Sequence, residues 1–154
     1  MEKEKTMETQ FSLASLAAML GWLALALAVV VPPGHWRSRL LLLAGRWVPL
    51  GLGLFYAWLL VRHWGSSPGG GFASLAAVQV LFSAPGKMLG GWVHFLAFDL
   101  LVGQWMASRV LRRGGPRLPL LMVLPATFLY GPLGLLLYAA TQAWRRAPAA
   151  EVAS

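Results

Sequence analysis

Cysteine is absent from the 154 residues. That absence removes disulfides, thiolate metal sites, iron–sulfur ligation and cysteine nucleophiles together. Acidic side chains are nearly absent as well, 5 Asp+Glu against 13 Lys+Arg, which is too few for a carboxylate-bound magnesium site. No phosphate-binding loop, HExxH pair or Ser-His-Asp pattern occurs. Charge of either sign is scarce, at 12% of residues against 58% hydrophobic, and this excludes an ordinary soluble domain. The net charge of +8 raises the question of nucleic acid, but no recognition motif accompanies it. Instead the arginines flank apolar runs, as at Arg37, Arg39, Arg62, Arg109, Arg112, Arg113, Arg117, Arg145 and Arg146. Membrane lipids are therefore the expected partners, and nucleic acid is not.

What is present is a series of apolar runs. A span needs roughly 20 such residues to cross a hydrocarbon layer about 30 Å thick, so the chain holds one membrane domain and little else. Residues 1–10 form a polar, frayed tail. Residues 11–31 are 21 residues without a charge and predict the first crossing. A signal peptide is the competing reading there, but the apolar run continues through Val29, Val30 and Val31 past the Ala-Leu-Ala sites. Pro32, Pro33 and Gly34 end it, and a second crossing follows at 40–61, with Arg46 near enough to its start to snorkel. After the flexible GSSPGGG stretch at 65–71, residues 72–83 are too short to cross and predict an interfacial or re-entrant helix. A third crossing is expected at 89–108. A fourth, at 118–144, contains Pro119, Pro125 and Pro132 and is expected to be one bent helix. Residues 145–154 are read as a disordered tail. The fold class is thus all-α, a polytopic membrane protein of four transmembrane helices and one short helix, with 11–144 as a single membrane domain.

Four crossings place Lys3, Lys5, Arg62, Lys87, Arg145 and Arg146 on one side. The other side holds Arg37, Arg39, Arg46, Arg109, Arg112, Arg113 and Arg117. Six against seven does not decide orientation, although the denser loops after the first and third crossings lean toward both termini outside.

The third crossing carries the chemistry. His94 and Asp99 stand in an otherwise apolar run, where an ionisable group is costly and marks a functional site by default. Five residues amount to about 500° around a helix, which leaves the two roughly 140° apart in projection. They face different neighbours, or opposite walls of one cavity. One reading makes them inter-helix glue, and the other a general acid/base set for a lipid-soluble ligand. A metal site stays open, with His35 or His63 as the third ligand. Trp92, Phe95, Phe98 and Trp105 interleave with the pair, as lipid contacts or as a ligand wall. Gly103, four residues after Asp99, lies on the Asp99 face and admits a close neighbour. In the last crossing, the Tyr130-Gly131-Pro132-Leu133-Gly134 break is either a kink or an opening of Tyr130, Pro132 and backbone groups onto the same cavity, with Tyr138 beyond it.

Two stretches carry a family resemblance. Gly91-Trp92-Val93-His94-Phe95-Leu96-Ala97-Phe98-Asp99-Leu100, with Val102-Gly103 and Trp105, resembles the signature of the abscisic-acid-deficient-four family of neoxanthin-synthase-like membrane proteins. Tyr130-Gly131-Pro132-Leu133-Gly134-Leu135-Leu136-Leu137-Tyr138 is similar to that family's second signature. The resemblance runs from about Ser12 to Gln142. It implies a compact four-helix membrane domain and a carotenoid-like or other isoprenoid lipid as substrate. Plant members are required to convert violaxanthin to neoxanthin, in which an epoxide opens and a proton is lost to leave an allene. It therefore implies an intramolecular isomerase with His94 and Asp99 as the acid/base groups, and Trp92, Phe95, Phe98, Gly103, Tyr130, Pro132 and Tyr138 against the polyene. No plastid transit peptide precedes the first crossing, so the chain is similar to shorter bacterial members and is expected in a bacterial inner (cytoplasmic) membrane. The cofactor is unknown, and a homo-oligomer is left open. The alternative is a non-catalytic membrane lipid-binding or assembly protein.

Overall fold

The computed structural model describes residues 2–151, with side chains for all of these except Lys3 and 145–151. Every regular element among the described residues is helical. In chain order they are α1 (Glu2–Val30), α2 (His35–Leu42), a π-helical turn (Leu43–Trp47), α3 (Val48–Arg62), α4 (Leu75–Ser83), α5 (Pro85–Arg112), α6 (Arg117–Tyr130) and α7 (Pro132–Glu151).

Local chemistry sets most of these boundaries. The polar residues expected to fray continue α1 back to Glu2, and the Thr6 and Thr9 hydroxyls donate to the carbonyls of Glu2 and Lys5. α2, the π turn and α3 form one unbroken rod. The π turn ends at Trp47, just before Pro49, whose ring crowds the carbonyl four residues back and lacks an N–H; the Val48 N–H bonds to the carbonyl of Leu43. Ser74 caps α4, its hydroxyl accepting from the Ala77 N–H at 3.1 Å. α5 begins with Pro85 in its first turn and ends in a Schellman turn. There Gly114 has φ 62°, and Gly115 N–H bonds to the Val110 carbonyl at 2.9 Å. A side chain at Gly114 would be strained in that left-handed conformation.

The last two helices depart most from expectation. The single bent helix predicted over 118–144 is instead a hairpin. α6 runs to Tyr130, Gly131 alone forms the corner, and α7 doubles back. Gly134 packs on Thr127 near the corner. Farther along, Tyr138, Gln142 and Trp144 line one cavity with Leu120, Pro119 and Pro116, an order of contacts that only antiparallel legs produce. Proline at 132 supplies no N–H, and its ring restricts Gly131, so the helix stops there. The reversal rather than a kink follows from Gly134, which lets the two backbones close to contact.

Two core clusters divide the bundle along its length. In one half, Ala14 and Ala18 of α1, Leu52 and Leu59 of α3, and Leu89, Val93 and Leu96 of α5 pack as a three-helix shaft. In the other half, Leu25 and Val29 of α1, Ala44 of the π turn, and Leu100, Met106 and Val110 of α5 also receive Leu120, Val123 and Leu124 of α6 and Tyr138 of α7. The hairpin therefore spans only half the height of α5. The exterior is apolar: Leu16, Leu20, Leu23 and Leu27 of α1 and Leu50, Leu54 and Val61 of α3 all face outward.

Two helical stretches, Glu4–Val30 and His35–Arg62, are long and apolar enough to cross a membrane. α5 is long but interrupted by His94, Asp99 and Gln104, and α6 is apolar but short. The expectation of four membrane-length apolar helices is thereby reduced to two, with the fourth divided at Gly131.

Candidate functional site at the hairpin tip

Asp99 occupies the middle of α5 and is only 9% exposed. Its carboxylate rests against the backbone of Gly131, leaving no room for even a methyl group between them. The Oδ2 atom is fully buried and has no hydrogen-bond partner. An unpaired neutral polar group in an apolar interior costs about 2–7 kcal/mol, and an ionised carboxylate more. An ionisable group placed so is a functional-site candidate by default.

His94 lies elsewhere. It is exposed on α5, stacked on Phe98 with ring centroids 4.5 Å apart and 5.5 Å from the Tyr56 ring of α3. The separation of roughly 140° read from the helix period thus places the two on different neighbours. Asp99 faces the hairpin and His94 faces α3 and the bundle exterior. They do not form a pair.

The aromatic residues divide the same way. Trp92 donates from Nε1 to the Ser15 hydroxyl of α1 at 3.1 Å and lies between Phe11 and Phe95. Phe95 packs against the three-helix shaft, and Phe98 is 55% exposed beside His94. Gly103, one turn beyond Asp99, receives the edge of the Trp22 indole and the Leu25 methyls of α1. Tyr130 is 63% exposed at the corner and Pro132 is exposed beside it. Tyr138 is buried, edge-on to Trp105 at 5.7 Å, and its hydroxyl has no partner. Of the residues singled out, Asp99 and Gly103 therefore share one face of α5, and Tyr138 joins the same half of the bundle from α7. Among the described residues no group of three metal-binding side chains occurs.

Several residues near the site carried no sequence signal. Trp22 is buried with its Nε1 unpaired, edge-on to Phe128 of α6 at 5.6 Å. It forms a wall of an apolar groove between α1 and α6, about 280 Å³ in volume, lined also by Met19, Ala26, Leu121, Pro125 and Phe128. A second cavity of about 350 Å³ lies at the open end of the hairpin, beside Tyr138. On the opposite face of α5, the Gln104 side chain fills the space over Gly45 in the π turn and donates to the Ser108 hydroxyl at 2.9 Å. A tryptophan in an apolar helix reads as a lipid contact, so only its pairing with Gly103 would have revealed Trp22.

Among curated proteins and among solved structures, none matches the chain. The family model described as ABA4-like, ABA DEFICIENT 4-like, matches residues 9–138. That range runs from within α1 to the first third of α7 and includes Asp99, the hairpin corner and Tyr138. The chain belongs to the ABA DEFICIENT 4-like family.

Proposed function

We propose that this chain is an integral membrane protein that binds an elongated isoprenoid lipid, a carotenoid or a similar polyene, and isomerises it by proton transfer at Asp99. The observation that carries this reading is the buried, unpartnered Asp99 oxygen at the tip of the hairpin. Family membership supports a neoxanthin-synthase-like role, and the apolar exterior supports residence in a bilayer, such as a bacterial inner membrane. The groove between α1 and α6 supports an apolar ligand: it is lined by apolar side chains, and its wall Trp22 packs on Gly103, one turn along α5 from Asp99.

The chemistry needs one carboxyl group. Opening of an allylic epoxide breaks a C–O bond, whose electron pair and a proton go to oxygen. Loss of a proton from the neighbouring chain carbon supplies the electron pair of the new double bond. Substrate and product are isomers, so no oxidant or reductant enters. Asp99, starting as the neutral carboxylic acid that an apolar site favours, gives up the first proton and, as the carboxylate so formed, takes the second, which restores the acid. The hairpin excludes water from the cationic stage of this reaction. His94, on the other face, takes no part in this account.

The test is the visible absorption spectrum of protein purified from its native host, followed by extraction. Co-purifying polyene, diminished in Trp22→Ala, supports the reading. A colourless protein whose bound lipids are only bulk phospholipids favours instead a non-catalytic membrane assembly protein.

A further inference from the structure

The hairpin changes which residues share an end of the molecule. Arg117 donates to the carbonyl of Val30 at 3.2 Å, and Arg37 Nε to that of Val31 at 2.9 Å, so the end of α1, the start of α2, the end of α5 and the start of α6 meet at one end. α7 returns to that same end, where Trp144 lines a cavity with Pro116. At the other end, the start of α5 meets the end of α3, with Gly86 under His63 and Lys87 over the Trp64 ring at 5.7 Å.

We propose that the arginine-rich end of the bundle is the surface that docks on anionic phospholipid headgroups of the cytoplasmic leaflet, and that α6 and α7 form a re-entrant hairpin entering and leaving through that leaflet. The inference rests on the reading of the chain as membrane-embedded. The crossings are then α1 and the α2–α3 rod, both long and apolar enough to cross, and α5, whose polar residues interrupt it but whose 28 residues extend about 42 Å. α6 is 14 residues long, about 21 Å, which is short of a bilayer's apolar thickness of about 30 Å. It reaches the depth of Asp99, at the middle of the 28-residue α5, and stops there. Irregular backbone at that depth is tolerated where protein buries it, and Gly131 is buried against Asp99.

Charge then decides the orientation. Arg37, Arg39, Arg109, Arg112, Arg113 and Arg117 lie at the hairpin end, and Arg145 and Arg146 follow Trp144 toward it, eight basic residues with Glu151 the single acid. The opposite end has four, Lys3, Lys5, Arg62 and Lys87, interspersed with Glu2, Glu4 and Glu8. Arg46, in the π turn on the same half of the bundle, brings the hairpin end to nine. Nine against four satisfies the positive-inside rule, which six against seven over the same residues did not. Trp36 and Trp144 at one end and Trp64 and Phe72 at the other are all exposed, as interfacial aromatics are. The start of α1 lies outside and the end of α7 inside.

The absence of native cysteine makes the test direct. Single Glu4→Cys, Ser38→Cys, Ser66→Cys and Ala150→Cys variants are expressed in bacterial cells and treated with a membrane-impermeant maleimide. Positions 4 and 66 are expected to react in intact cells, and positions 38 and 150 only after permeabilisation. Residue 150 reacting with 66, on the side opposite 38, would restore a fourth crossing and overturn the hairpin inference. Residue 38 reacting in intact cells would overturn the orientation. Release of the chain by alkaline carbonate would overturn the membrane reading itself, a result distinct from both.

The headgroup assignment has its own measurement. Protein in nanodiscs of equal phosphatidylcholine and phosphatidylglycerol is expected to melt higher than in phosphatidylcholine alone, and that shift is expected to be lost in the triple variant R39Q/R112Q/R113Q. A shift that persists in the variant, or none in the parent, contradicts the docking surface.

Discussion

Gly131 and Asp99 lie in direct contact, a carboxylate against a bare backbone, at the point where α6 turns into α7. Each explains the other. The carboxylate reaches an unpaired position because no side chain stands at 131, and the corner is tight because glycine permits it.

Gly131→Ala is therefore expected to destabilise the detergent-solubilised protein by about 1–3 kcal/mol, as overpacking does. Most of that cost should vanish in an Asp99→Ala background, where the clashing group is gone. Thermal unfolding of the two singles and the double gives the coupling directly. Additive losses would mean that the two residues do not touch.

The hairpin itself is measurable as a distance. A continuous helix would hold residues 118 and 143 about 38 Å apart at 1.5 Å per residue. Antiparallel legs packed at interaxial distances near 8–10 Å are expected to bring spin labels at those positions within about 20 Å. Gly134→Leu should lengthen that distance, because Thr127 meets Gly134 with its backbone, which cannot rotate away.

On the far face of α5, Gly45→Leu is expected to lower the melting temperature, because Gln104 already fills that space. Gln104→Ala in the same chain should recover much of the loss. Failure of that rescue would show that the π turn needs glycine for its own backbone.

Trp22→Ala removes a groove wall and leaves a cavity, with a stability loss of about 3–5 kcal/mol by analogy with buried aromatics elsewhere. Bound polyene should fall further than folded protein does. Equal losses would place the ligand in another groove, the cavity beside Tyr138 being the next to test.

Much of this was legible in the residues, and the remainder was not for physical reasons. Helix period alone separated His94 from Asp99, because angular position along one helix is a local property. The break at 130–134 was legible from Gly131 and Pro132. Its angle was not, since a kink and a reversal differ only in what Gly134 touches, and Thr127 is a tertiary partner. Tyr130 ends α6 and is 63% exposed, a degree of exposure that depends on the corner and not on the residue's place in the sequence. Read as one crossing, 118–144 places Arg145 and Arg146 away from Arg109, Arg112, Arg113 and Arg117; the hairpin places them on the same end.

The central claim is that Asp99 alone, and not a His94–Asp99 pair, moves the protons. It is tested by conversion of an epoxide-bearing carotenoid in reconstituted vesicles by the parent, Asp99→Asn and His94→Ala proteins, each first shown to be folded by its thermal transition. The account predicts loss of conversion by at least about 100-fold in Asp99→Asn, in keeping with removal of a general acid/base, and parent-like turnover in His94→Ala. Full activity in folded Asp99→Asn would contradict it.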